Sequence, residues 1–289
     1  DDHTIGITAI LGITYTGKYD DVKKLDELVE AYNQEHPKLP IRIHVDGASG
    51  SMVAPFVDPD LEWDFRLKNV WSINTSGHKY GLVYPGIGWV IWRGKEALPE
   101  DLIFWVSYLG GEEATMAINF SRSASQIVGQ YYVLMRNGFE GFREIHLRTL
   151  DVARYLAEEL KGMGIFDIYE DASNIPIVCW GLKDDANVEW SLYDLSDRLR
   201  MSGWLVPAYP MPANLQDVVV QRVVARQDFS MQLAIKLVED VKKEIDTLSK
   251  ARFVTGNTQG VINTGFNHGG RSAVDKGDEV QTQAKTAQK

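Results

Sequence analysis

Thr4-Ile5-Gly6-Ile7-Thr8-Ala9-Ile10-Leu11, then Asp20 to His36 (DDVKKLDELVEAYNQEH), then Ile41-Arg42-Ile43-His44-Val45 is the stretch that decides the fold class. The first run is short, apolar and rich in β-branched side chains, the composition of a buried strand. In the second, Val22, Leu25, Val29 and Tyr32 recur at helical spacing. Pro37 and Pro40 then stop the helix, because proline has no N–H to donate and clashes with the preceding turn. The third run is again a strand. Strand, helix, strand within the first 45 residues predicts a parallel βαβ unit with a right-handed crossover. An α/β fold with a mostly parallel sheet is therefore expected.

Working outward, Val70 to Asn74 and Gly88 to Trp92 read as further strands, joined by a Gly- and Ser-rich loop. Leu102 to Val106 is another strand candidate. Ser125 to Leu150 predicts one long helix, or two broken near Gly138 and Gly141, and Arg154 to Met163 continues the helical pattern. Beyond residue 150 the pattern becomes α+β. Strands expected at Ile165 to Tyr169, Ile175 to Trp180, Trp204 to Pro207 and Asp217 to Val224 alternate with helices at Trp190 to Met201 and Ser230 to Leu248. Ala234, Leu237, Val238, Val241, Ile245 and Leu248 give the last helix one apolar face. The expected organisation is a large domain over 1–149, a smaller one over 150–254, and a Gly-, Asn-, Thr- and Gln-rich tail over 255–289 that reads as disordered. No internal repeat is present in the sequence.

Composition narrows the function. At 44% hydrophobic and 24% charged, the 289 residues are those of an ordinary globular protein. A formal charge of −10 and the lack of a long Lys/Arg block argue against a nucleic-acid surface. No run of about 18 apolar residues exists to span a membrane. One cysteine, Cys179, excludes an internal disulfide and a Cys-rich metal site. It lies in the apolar run Ile175 to Trp180, so a buried core thiol is preferred to a nucleophile. A reducing, cytoplasmic location fits, and no metal is expected.

Two features carry chemistry together. Asp46, in His44-Val45-Asp46-Gly47-Ala48-Ser49-Gly50, ends a predicted strand, where open parallel sheets bind ligands. Such an aspartate serves as a metal ligand, a base or a partner for a cationic ring nitrogen; capping the next helix is an equally good structural role. Lys79 lies in Ser76-Gly77-His78-Lys79-Tyr80, in the loop after the Val70 to Asn74 strand. Taken alone, it reads as a solvated surface lysine. Gly86-Ile87-Gly88 lacks the strand-before, helix-after setting of a dinucleotide loop. The strand-end Asp and the lysine loop 33 residues on suit a cofactor with an aldehyde, a pyridine nitrogen and a phosphate. Pyridoxal 5'-phosphate has all three.

The segments His44 to Gly50, Trp63-Asp64-Phe65-Arg66-Leu67 and Ser72 to Leu82 resemble the group II pyridoxal-phosphate decarboxylases of fold type I. Gly12 to Gly17, Gly88 to Arg93, Tyr108 to Gly111 and Ile118 to Arg122 are similar to the glutamate decarboxylases of plants, fungi and bacteria in particular, with a plant- and fungal-like character expected. The resemblance covers about residues 4–250. It implies a large domain with a mostly parallel sheet, a small α+β domain, and decarboxylation of L-glutamate to 4-aminobutanoate.

Residue by residue, the resemblance implies that Lys79 holds pyridoxal 5'-phosphate as a Schiff base and that Asp46 pairs with the ring nitrogen. Ala48 would pack on the ring, Ser76 and His78 would contact the phosphate, and Thr14 would lie near cofactor or substrate. Ser121 would reach the phosphate of a neighbouring subunit, implying a homodimer or a hexamer of dimers. Tyr108 would sit on a mobile loop and, with Lys79, be a candidate proton donor. Arg222 would meet a substrate carboxylate. The phosphate loop and distal-carboxylate groups of the family are expected upstream of Asp1, so the chain is expected to be part of a longer enzyme. The tail lacks a Trp and clustered lysines, which argues against calmodulin binding, and His268 does not match the family's closing histidine well. Two alternatives stand: a related decarboxylase of another amino acid, and an inactive fragment that dimerises or regulates.

Overall fold

The computed structural model describes residues 3–107, 110–116 and 121–250. Strands β1 (Gly6–Ile10), β2 (Arg42–Asp46), β3 (Val70–Ser76) and β4 (Gly88–Trp92) form one sheet in that order. The β1–β2 and β2–β3 pairs are parallel, and β4 returns antiparallel to β3. Helix α1 (Val22–Glu35) makes the expected crossover, and Asp21 caps it by accepting from the Lys24 N–H at 2.8 Å. A short helix α2 (Ala54–Val57), with Pro55 in its first turn, follows the loop after β2. Ala9, Val22, Val29, Ile43, Val45, Val70 and Ile73 form the core between this sheet and α1.

A hairpin of β5 (Phe104–Val106) and β6 (Glu113–Thr115) leads to α3 (Ser125–Gly162). This helix kinks at Gly138, which takes φ 58° and ψ −166°, while Gly141 lies within the helix. The expected division near residue 150 thus falls inside α3. Strands β7 (Phe166–Asp171), β8 (Ile177–Leu182), β9 (Ala208–Pro210) and β10 (Val219–Val224) form an antiparallel sheet in the order β7-β8-β10-β9. It is covered by α3, α4 (Leu192–Met201) and α5 (Met231–Lys250) around Leu156, Trp180, Leu195 and Val238.

Three expectations need correction. β1 is not a buried strand: only Ala9 is buried, and Ile10 is 37% exposed. Its one neighbour among the described residues is β2, so one edge lies open, as does the face that carries Gly6, Thr8 and Ile10. Trp204 to Pro207 is not a strand; β9 begins at Ala208. The backbone groups there are taken up elsewhere, since Trp204 N donates to Leu199 O at 3.0 Å and Val206 O accepts from the Gln221 side chain at 2.9 Å. Leu102 closes a short 3₁₀ turn rather than opening β5. Among the described residues, no helix is long and apolar enough to cross a membrane. The expected tail, including His268, lies outside the described residues.

His146 on α3 is 1% exposed among Phe56, Phe142 and Tyr80. Burial pulls its pKa from 6.5 down to about 4, opposed by a hydrogen bond to the Met52 backbone. The unfolded chain therefore binds the proton first, and this group's stability is full above pH 6.5 and lost as pH falls toward 4. Between pH 6.5 and pH 5 the thermal midpoint of the wild type should fall more than that of His146→Gln. Parallel curves for the two proteins would contradict this.

Candidate active site

The loop leaving β2 is tied to the end of β3 at the carboxyl end of the sheet. Gly47 N donates to Asn74 O at 3.0 Å, and Ser76 N donates to Ala48 O at 3.3 Å. The end of β1 joins them, because Leu11 N donates to Asp46 O at 2.9 Å and Gly50 N to Leu11 O at 2.8 Å. Lys79 follows β3 in a turn in which its own N–H donates to Ser76 O at 3.2 Å. Its exposed ammonium donates to Ser49 Oγ at 3.3 Å, and among the described residues it forms no ion pair.

Asp46 is half-buried at the end of β2. Its Oδ1 accepts from Ala48 N at 3.1 Å and from Asn74 Nδ2 at 2.9 Å. Among the described residues nothing donates to Oδ2. One ring nitrogen of His78, Nδ1, is buried without a protein partner. An amine held by a single hydroxyl, an uncommitted carboxylate oxygen and an unpartnered imidazole nitrogen thus lie at the ends of two adjacent strands. That donor set fits a group with an aldehyde, a cationic ring N–H and an anion.

Thr14 is exposed in the turn after β1, closed by Gly17 N donating to Ile13 O at 2.7 Å. Ser121 is exposed just ahead of α3, and Tyr108 lies outside the described residues. Arg222 on β10 is half-buried opposite Cys179 on β8. Burial raises the Tyr80 hydroxyl, and the Arg222 and Arg226 charges pull it partly back, so both guanidiniums bear on the residue beside Lys79. The Cys179 thiol is fully buried and pushed up to about 11 by that burial, which is no environment for a nucleophile.

Four contributors escaped the sequence reading. Ser49 holds the lysine amine, and Asn74 holds the aspartate. His44 contacts Asn74 Oδ1 at 2.8 Å. Gln130 on α3 donates to Gly81 O at 2.9 Å, stapling the lysine loop from behind. The period of two along a strand marks His44 and Asn74, each two residues before a singled-out position on the same face. No local signal marks Gln130.

The sequence matches the family described as "Pyridoxal-dependent decarboxylase conserved domain" over residues 2–183. The chain belongs to this family. Within the pyridoxal-dependent decarboxylases it is 58% identical over 268 residues to "Glutamate decarboxylase" of Lactococcus lactis subsp. cremoris, covering 93% of this chain and 57% of that protein. "Glutamate decarboxylase" of Aliivibrio fischeri is 47% identical over 270 residues, covering 93% of this chain and 58% of that protein. The structure of "Lactobacillus brevis CGMCC 1306 Glutamate decarboxylase" superposes with a TM-score of 0.84 at 57% identity, over 88% of this chain and 57% of that one. The chain thus spans about 57% of the length of these bacterial relatives. A tryptophan decarboxylase of Catharanthus roseus at 19% identity and a TM-score of 0.67 shares the fold.

A Cβ added at Gly47 would lie 2.6 Å from Ser51 Cβ and 2.9 Å from Asn74 O. Neither neighbour is a flexible end, so Gly47→Ala should cost about 1–3 kcal/mol in denaturant unfolding. A loss below about 0.5 kcal/mol would show that the loop after β2 is not held this tightly against β3.

Proposed function

We propose that the chain carries the lysine- and aspartate-bearing part of a pyridoxal-phosphate site, in an enzyme that decarboxylates L-glutamate to 4-aminobutanoate and CO₂. The observation that supports it best is that Lys79, in the loop after β3, donates to Ser49 in the loop that follows Asp46, at the carboxyl ends of adjacent parallel strands. The family and the glutamate decarboxylase relatives support the same reading. In this reading residues 1–149 belong to the cofactor-bearing domain and 150–254 form a smaller domain. The cytoplasm is the compartment assigned, in keeping with a lone buried thiol.

Bound pyridoxal phosphate supplies an aldehyde for a lysine and a protonated ring that accepts the electron pair left when CO₂ departs. Lys79 would hold the aldehyde carbon through Nζ, with Ser49 fixing the amine beforehand. Asp46 would keep a proton on the ring nitrogen through Oδ2. Ser76 and His78 would meet the phosphate, with the unpartnered His78 nitrogen available for it. Ala48 would pack against the ring, and Thr14 would border the site from the β1 turn. Arg222 would pair with a substrate carboxylate by two parallel N–H bonds. Once the substrate amine has replaced it, the Lys79 amine would return a proton to Cα, with Tyr108 as the other donor, and closure over the site would exclude water. Ser121 would serve the site of a second subunit, making the working form a homodimer or an assembly of dimers.

The full-length enzyme should release CO₂ and 4-aminobutanoate from L-glutamate and show the absorbance band of lysine-bound cofactor. Lys79→Ala should lose that band and at least about 10³-fold in turnover, since the covalent route is closed. Arg222→Lys should weaken substrate use more than cofactor binding, since its point charge replaces a fork. An unchanged band and rate in Lys79→Ala would overturn the proposal, and a different preferred amino acid would overturn the substrate.

A further inference from the structure

Behind Asp46 runs a continuous line of polar side chains on one face of the sheet. β2 alternates, so His44 and Asp46 share a face while Ile43 and Val45 point into the core. In the parallel register, Ser72 lies beside His44 and Asn74 beside Asp46. Asn74 Nδ2 lies 2.9 Å from Asp46 Oδ1, His44 Nε2 lies 2.8 Å from Asn74 Oδ1, and His44 Nδ1 lies 2.8 Å from Ser72 Oγ.

Chemistry fixes the direction of each bond. An ionised carboxylate only accepts, so the Asn74 amide must turn its NH₂ toward Asp46. Its carbonyl oxygen then faces His44, and an amide oxygen only accepts. His44 must therefore carry a proton on Nε2. In the neutral ring Nδ1 is then the acceptor, and the Ser72 hydroxyl donates to it. The Ala48 N–H adds a second donor to the same Asp46 oxygen at 3.1 Å. Rotating the carboxylate would break both bonds to Oδ1.

We propose that Asn74 and His44, backed by Ser72, are positioning residues that lock the Asp46 carboxylate so that Oδ2 is presented to the cofactor's ring nitrogen. This rests on the reading of Asp46 given above. The relay touches neither substrate nor cofactor and acts through Asp46 alone. Losing it leaves Lys79 and the covalent attachment intact while loosening the hold on the ring proton.

The test uses the full-length holoenzyme, with pyridoxal phosphate as the probe. Asn74→Ala and His44→Leu should still form the lysine-bound absorbance band. They should bind the cofactor about tenfold more weakly, the low end of what losing an orienting partner costs in metal sites. The pH at which the band changes should also shift. His44→Gln, which keeps an N–H donor near the Nε2 position, should restore the wild-type spectrum and affinity. A second measurement needs no variant that might misfold: nitrogen-15 NMR of His44 at pH 8 should find the proton on Nε2. A His44→Leu enzyme identical to wild type in affinity and pH profile, or a ring protonated on Nδ1 alone, would overturn the relay. A wild type without a band, or a band that survives in Lys79→Ala, would instead overturn the reading of the site, and the relay with it.

Discussion

Val70 and Ile73 both point into the core beneath the first sheet, though they lie three positions apart and a regular strand would send them to opposite faces. The chain accommodates both by a register shift: Ile43 lies beside Val70, yet His44 lies beside Ser72, so β3 spends one extra residue, Trp71. Trp71 is held in this place by Arg42, whose guanidinium stacks on its ring at 4.5 Å, and by Arg93 N donating to its carbonyl at 2.9 Å. Without the extra residue Asp46 would lie beside Ile73, and every later side chain of β3 would face the wrong way. With it, Asn74 stands beside Asp46, and the lysine loop leaves the sheet directly above the aspartate loop. The core's demand for Val70 and Ile73 therefore sets the geometry of the polar site.

The second constraint is the seam with the other sheet. Gly12 adopts φ +104°, and a Cβ there would lie 2.9 Å from Ser49 Cβ and 3.2 Å from Ile175 Cδ1. Three segments converge at that glycine: the end of β1, the loop carrying the lysine's serine partner, and the residues leading into β8. Tyr19 N donating to Asn174 Oδ1 at 3.4 Å spans the same seam. Arg222 lies on the sheet that β8 belongs to, so the packing around Gly12 joins its sheet to the loop that carries Ser49.

Much of this was legible in the sequence. Proline stops, helical spacing in Val22 to Tyr32 and β-branched runs placed the βαβ unit within a residue or two, because these signals are local. The α3 helix was legible for the same reason, with a break near Gly138 and Gly141 as one of two readings, and the kink falls at Gly138 alone. The burial of β1 was misjudged because apolar content does not reveal whether a strand has one neighbour or two. The strand expected at Trp204 to Pro207 failed because the end of α4, at Leu199 O, and the side chain of Gln221, distant in sequence, take up its backbone hydrogen-bonding groups. In the site, Asp46 at a strand end and Lys79 in the loop 33 residues on stood out only as a pair and through the resemblance around them, since each alone has an equally ordinary structural role. Gln130 did not, because its role exists only once α3 lies against the lysine loop.

The central claim is that Lys79 is the lysine to which the chemistry is attached. Borohydride reduction of the full-length holoenzyme, followed by proteolysis and mass spectrometry, makes that attachment permanent and locates it. The account predicts a pyridoxyl-phosphate mass on the peptide that contains Lys79, at close to one per chain. A label on any other lysine, with the Lys79 peptide unmodified, would contradict it.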